Sequence, residues 1–156
     1  MNTKVIIKLP KEENLDDLCK FLQRVDELFN PTLSSQHNLR FFAEKLQNNA
    51  TLFEIKSDNG DIIALNAVYV NKAPDKSFAT ILAVNPQYDG YGLGAKLVLK
   101  AIKYCQEYGS SEYELIITAT NNENMLNFYE RNGFIKKGNI HYTNGVAKQY
   151  LVKSFK

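Results

Sequence analysis

Three glycines at alternate positions, Gly90, Gly92 and Gly94, stand between an apolar run, Phe78–Val84, and a helical pattern traced by Leu97, Ala101, Tyr104, Cys105 and Tyr108. That order dictates a strand stopped by Asn85-Pro86, a loop free to take positive φ, and a helix opening directly from the loop and ending at Gly109. Backbone N–H groups converge on a phosphate only where no Cβ blocks the approach. A helix starting at that point adds its unsatisfied first-turn donors and the positive end of its dipole. The segment is therefore built to hold a pyrophosphate. Glycine spacing alone matches by accident often, so the neighbouring residues must discriminate. A dinucleotide fold needs G-x-G-x-x-G and a nucleotide phosphate loop ends in G-K-[ST]. This chain has G-x-G-x-G followed by Ala95-Lys96, and neither motif fits.

The rest of the chain frames this unit as a single domain, residues 1–156. Val5 to Leu9 alternates as a strand and Pro10 ends it. Asn14 precedes a helix with acidic first-turn residues and an apolar stripe at Leu15, Leu18, Leu22, Val25 and Phe29. Phe29-Asn-Pro-Thr-Leu-Ser-Ser breaks that pattern, and Leu39, Phe42 and Leu46 resume it as a second helix ending near Asn48-Asn49. Thr51–Lys56 and Ile62–Val70 form a hairpin through Ser57-Asp58-Asn59-Gly60. Phe78–Val84, apolar at nearly every residue, reads as a central strand buried on both faces. After the glycine-loop helix come a strand over Tyr113–Thr120, a helical segment from Asn122 to Asn132 closed by Gly133, and strands over 134–138 and 147–153. The order β-α-α-β-β-β-α-β-α-β-β is that of an α/β domain with a mixed central sheet flanked by helices.

Nineteen Lys+Arg against seventeen Asp+Glu leave a net charge of +2 with no basic cluster, which disfavours nucleic acid. Cys19 and Cys105 each fall within an apolar helical pattern, as buried small hydrophobes would, so neither a disulfide nor a metal pair is expected. The opening MNTKVIIKLPKEEN has too short an apolar run for a signal peptide, and no stretch approaches the roughly 20 apolar residues of a membrane span. The expectation is a soluble cytoplasmic protein.

A second motif lies downstream: Asn122-Glu-Asn-Met-Leu-Asn-Phe-Tyr129-Glu-Arg-Asn-Gly133-Phe134. Together with Asp89-Gly-Tyr-Gly92-Leu-Gly94 it resembles the GNAT (acyl-CoA N-acyltransferase) family. The first motif of that family is Gln or Arg, two residues, Gly, one residue, then Gly or Ala; its second runs from Asn through Phe-Tyr-Glu-Lys to Gly-Phe. The resemblance implies acetyl-CoA as co-substrate, no metal, and an N-acetyltransferase acting on a primary amine. It implies that Leu82, Ala83 and Val84 pair with the pantetheine arm, and that the backbone N–H near Ala83 or Val84 meets the oxyanion. Asp89, Gly90, Tyr91, Gly92, Leu93, Gly94 and Ala95 would cradle the pyrophosphate. Asn122 would anchor the pantetheine, and Tyr129 would be the general acid that protonates the departing thiolate. Asp89 departs from the pattern by placing an anion where the family has Gln or Arg.

For the acceptor, Phe29-Asn-Pro-Thr-Leu-Ser-Ser, Phe42-Ala-Glu-Lys-Leu and Thr80-Ile-Leu-Ala-Val are similar, loosely, to bacterial acetyltransferases of surface-carbohydrate biosynthesis. That likeness implies an amino sugar or sugar nucleotide, with Phe29, Asn30, Pro31 and Tyr69 as pocket residues. For each of these, packing or turning the chain is an equal explanation. No motif marks a general base; His37 and His141 read more readily as surface residues, and Glu54 and Glu114, on strands, read equally well as exposed ones. A non-catalytic acyl-CoA sensor and a protein or peptide N-acetyltransferase are the competing readings. Family members are often dimers, and no sequence feature decides the oligomeric state.

Overall fold

The computed structural model describes residues 3–72, 74–118, 123–143 and 145–155. The elements are β1 (Ile6–Lys8), α1 (Leu15–Val25), the short α2 (Leu33–Gln36), α3 (Leu39–Asn49), β2 (Thr51–Lys56), β3 (Ile62–Tyr69), β4 (Lys76–Val84), α4 (Leu93–Glu107), β5 (Glu112–Thr118), α5 (Glu123–Arg131), β6 (Ile135–Thr143) and β7 (Val146–Ser154). The seven strands form one sheet in the order β1-β2-β3-β4-β5-β7-β6. Every neighbouring pair is antiparallel except β4 and β5, which run parallel because α4 carries the chain back between them.

The expected order holds with one addition, α2, built from the loop between the first two long helices. Phe29, expected on the stripe of α1, lies past its end at Val25, and a single 3-10 turn over Asp26–Leu28 intervenes. The strand expected over 134–138 continues to Thr143.

The sheet divides the core in two. On one face α4 packs Leu93, Leu97, Val98, Ala101 and Cys105 against Phe53, Ile55, Val68 and Tyr113. On the other, α1 and α3 pack Leu18, Phe21, Leu22, Val25, Ala43 and Leu46 against Leu52, Leu65, Ile81 and Ala83. The strand buried on both faces is β3, all eight residues of which are buried, and not β4 as its apolar run implies. Of the nine residues of β4 only Ser77, Ile81 and Ala83 are fully buried. The reason is topological. Pairing of β4 with β5 ends at Ala79 opposite Leu115, so the second half of β4 has a neighbour on one side only.

One buried charge-bearing group sits in the α1/α3 layer. Glu54 on β2 is fully inaccessible; one carboxyl oxygen accepts the Asn14 amide and the other, Oε1, has no hydrogen-bond partner. Because the Asn14 side chain is spent there, α1 begins without a side-chain cap. Burial, opposed by Lys56, by the Asn14 hydrogen bond and by Lys8, raises the Glu54 pKa from 4.5 to about 7. The folded chain therefore holds this proton more tightly than the unfolded one. Stability should fall as pH rises from about 4.5 to about 7 and stay reduced above it, by up to about 3 kcal/mol. Glu54→Gln keeps the acceptor for Asn14 and removes the titration. Thermal unfolding should show the variant gaining on the wild type between pH 5 and pH 8; a constant difference would rule out this role for the carboxyl.

Candidate active site

The glycine loop is assembled from local preferences. Asn85 opens a single 3-10 turn, Pro86–Tyr88, by accepting the Gln87 N–H at 3.1 Å, and Asp89 leaves it in extended, exposed conformation. Gly90 and Gly92 then take φ +86° and +72°, the left-handed region that side chains resist. Gly92 is the N-cap of α4, and no side chain caps that end. The first hydrogen bond of the helix runs from Lys96 N–H to Gly92 C=O at 3.1 Å, so the N–H groups of Gly92, Leu93, Gly94 and Ala95 have no partner within the helix. A Cβ at Gly90 or Gly92 would meet no heavy atom within 4 Å, and one at Gly94 would meet only Val84 Cγ2 at 3.7 Å. Space beside the donors, an uncapped fifteen-residue helix and its dipole make an anion cradle, and a pyrophosphate fits the residues present.

Behind the loop, β4 and β5 part. The register of β3 with β4 slips between Ala67 and Val68, whose partners are Ile81 and Ala79, which leaves Thr80 as an extra residue on β4. Such a bulge bends its strand and frees local backbone groups. It falls one residue past the last pairing with β5, and there the strands diverge.

Backbone groups alternate sides along a strand. Asn85 donates its N–H to Ile63 C=O at 2.8 Å, so Ala83, two residues back and opposite Leu65, also faces β3. The N–H and C=O groups of Leu82 and Val84 therefore face the gap. Of the three residues expected to offer backbone there, Ala83 has its groups in the ladder instead.

The gap is a cleft of about 150 Å³, lined from α4 and α5 by Val98, Met125 and Tyr129, from the strands by Thr80, Leu82, Leu115 and Ile117, and from the α1 side by Phe29. It passes between the strands and has walls on both faces of the sheet. Tyr129 is 3% exposed, its ring against Phe128 and Phe134 at 5.4 and 5.1 Å. Burial pushes its hydroxyl well above the usual tyrosine range, so the phenol stays protonated at neutral pH. Asn122 lies outside the described residues.

Two lining residues escaped the sequence motifs. Asn66 and Tyr113 are both fully buried, and Asn66 Nδ2 donates to the Tyr113 hydroxyl at 3.1 Å while its Oδ1 is unpartnered. The one available signal was an asparagine inside the otherwise apolar run Ile62–Tyr69.

The expected acceptor residues separate. Phe29 reaches the cleft, and Asn30 and Pro31 follow it, exposed and half-buried. Tyr69 does not join them: it pairs with Phe78 near the start of β4, packs in the α1/α3 core and carries Lys72 Nζ 4.7 Å from its ring centroid. His37 is exposed and stacked on Phe42, His141 is stacked on Tyr150, and Glu114 pairs with Lys137 at 3.0 Å. Among the described residues no group of three or more His, Cys, Asp and Glu side chains could hold a metal ion, and no helix is long and apolar enough to cross a membrane.

No curated protein matches the chain significantly. Solved structures do, at low identity. The ribosomal-protein-S18-alanine N-acetyltransferase of Escherichia coli superposes with a TM-score of 0.74 at 20% identity, over 97% of this chain and 94% of that one. A Bacillus subtilis acetyltransferase in complex with CoA gives 0.68 at 18%, over 98% and 100%. The NatC complex bound to Gag peptide and CoA gives 0.69 at 22%, over 98% and 99%. These likenesses establish the acyl-CoA N-acyltransferase fold. The model of the acetyltransferase (GNAT) family matches residues 20–134, a span that holds both motifs, the cleft and Tyr129, and the chain belongs to that family of N-acetyltransferases.

Proposed function

We propose that this chain transfers the acetyl group of acetyl-CoA to a primary amine on a small polar molecule, an amino sugar or sugar nucleotide, in a bacterial cytoplasm, with Tyr129 as general acid. The observation that carries this reading is the continuity of the uncapped N-terminus of α4 with the cleft between β4 and β5. A phosphate-bearing carrier held at Gly92–Ala95 has an extended path past Val84 and Leu82 to the Tyr129 hydroxyl.

The chemistry needs few groups. A neutral amine attacks the thioester carbonyl and forms the new N–C bond, while the negative charge moves to oxygen and is met by the free backbone N–H of Leu82 or Val84. Collapse of that intermediate breaks the C–S bond, and the Tyr129 hydroxyl gives its proton to the leaving thiolate as the bond breaks. The nitrogen releases its surplus proton to water, and water restores the phenol. Burial keeps the Tyr129 phenol in its proton-bearing form, the state a donor to the thiolate needs and a base would not have. Asp89 is exposed at the rim of the cradle, which supports a contact made at this position by backbone and not by the carboxylate.

Two substitutions test these roles. Tyr129→Phe preserves the ring packing and should lower kcat at least about tenfold; a smaller loss in steady-state acetylation would refute the acid role. Asp89→Arg replaces an anion near a bound pyrophosphate with a cation. At low ionic strength calorimetry should show CoA binding tightened by about fivefold, and an unchanged affinity would show that the side chain does not sense the ligand.

A further inference from the structure

A second and larger cavity, about 490 Å³, lies beyond the end of β4 and is not part of the cleft. Its walls are Arg24 from α1, Asn59 and Asp61 from the β2–β3 turn, and Asn85, Gln87 and Tyr88 from the start of the glycine loop. Ligand cavities are mostly apolar with a few polar groups; this one reverses the proportion. The two charges in its wall, Arg24 and Asp61, pair with each other at 3.2 Å and cancel. What remains is the Gln87 amide and the amide N–H groups of Asn59 and Asn85, whose Oδ1 atoms already accept from Ser57 and Asp61 and from the Gln87 N–H, beside one aromatic residue.

We propose that this cavity docks the body of a hydroxyl-rich acceptor, a sugar, whose amine reaches over the end of β4 into the cleft. The inference rests on the acetyltransferase reading above and gives the sugar acceptor it names a docking site. Hydroxyls both donate and accept, so they match the amide N–H groups of Asn59 and Asn85 and the whole amide of Gln87. Tyr88, which packs in part against the α4-side core, adds a half-buried aromatic residue to the wall. A charged polyamine or a fatty chain finds no such match in this wall.

Position supports the same assignment. Cavity and cleft are bounded by the same two segments: Arg24 and Phe29 stand at the two ends of one, and Leu82 and Asn85 belong to the other. Along β4 the offset from Leu82 to Asn85 is about 10 Å at roughly 3.3 Å per residue. An acceptor seated in both must be larger than a simple alkylamine. It also approaches from the α1 side, opposite the wall that Val98, Met125 and Tyr129 present to the donor.

The test uses the whole chain with acetyl-CoA and compares 2-amino sugars, the same sugars without the amine, spermidine and a short peptide. Amino sugars should be the best acceptors, and the matching plain sugars should inhibit competitively against the acceptor but not against acetyl-CoA. Gln87→Ala should raise the KM for the amino sugar about tenfold, the loss of roughly one well-made hydrogen bond, with the KM for acetyl-CoA held. Gln87 is exposed, so its truncation should leave folding intact, and circular dichroism serves as the check on that. Turnover of spermidine or the peptide but not of amino sugars would overturn this inference and leave the acetyltransferase reading standing. If no amine is acetylated, that reading fails instead, and calorimetry of sugars on the CoA-loaded chain decides this one. Binding weakened by Gln87→Ala supports it, and absence of binding overturns it.

Discussion

The parting of two parallel strands governs the site. Parallel β4 and β5 share only the pairs from Lys76–Glu112 to Ala79–Leu115, and an extra residue at Thr80 bends β4 away at the next step. Continued pairing would have consumed the backbone groups of Leu82 and Val84 and closed the space beneath Tyr129. Because the strands separate, backbone donors and acceptors that a sheet normally satisfies internally are left facing a cleft. The antiparallel neighbours hold the opening in place: β3, buried along its whole length, anchors β4 on one side, and β7 pairs with β5 from Glu112 to Thr118 on the other.

The cleft then sets the position of everything that serves it. Helix α4 returns the chain from β4 to β5, so its uncapped N-terminus lies at the end of the strand whose edge is free, and the anion cradle and the extended groove meet without further design. The face that holds α4 and α5 carries the phenol, and the face that holds α1 and α3 contributes Phe29. In the proposed reaction the sheet itself would separate the donor and acceptor sides and keep thioester and amine apart except at the gap. No covalent enzyme intermediate is required, which is consistent with a site of backbone amides and one tyrosine.

The parts of this arrangement legible in the sequence are those fixed by short-range rules. Gly90 and Gly92 announce positive φ, the helical spacing from Leu97 to Cys105 announces α4, and the Asn59-Gly60 turn announces the hairpin. Long-range pairing was not legible. Phe78–Val84 is as apolar as a doubly buried strand, and nothing within it tells that β5 departs after Ala79; the composition that reads as core also suits a strand facing a cleft. Likewise Glu54 and Asn66 are ordinary polar letters until β1, β3 and α1 close around them. Nor does the sequence show that Tyr69, an expected acceptor residue, sits at the other end of β4, opposite Phe78. Arg24 and Asp61, far apart in sequence, define a cavity only after α1 packs over the β2–β3 turn.

The central claim is that the free edge of β4 and the N-terminus of α4 together form the path of the acyl carrier. Titrating CoA into uniformly ¹⁵N-labelled protein and following backbone amide resonances tests it most directly. The account predicts the largest shifts at Gly92, Leu93, Gly94 and Ala95 and at Leu82 and Val84, with Ala83 held in its ladder and moving less. Shifts at the loop without any along β4, or perturbations equal at Leu82, Ala83 and Val84, would contradict it.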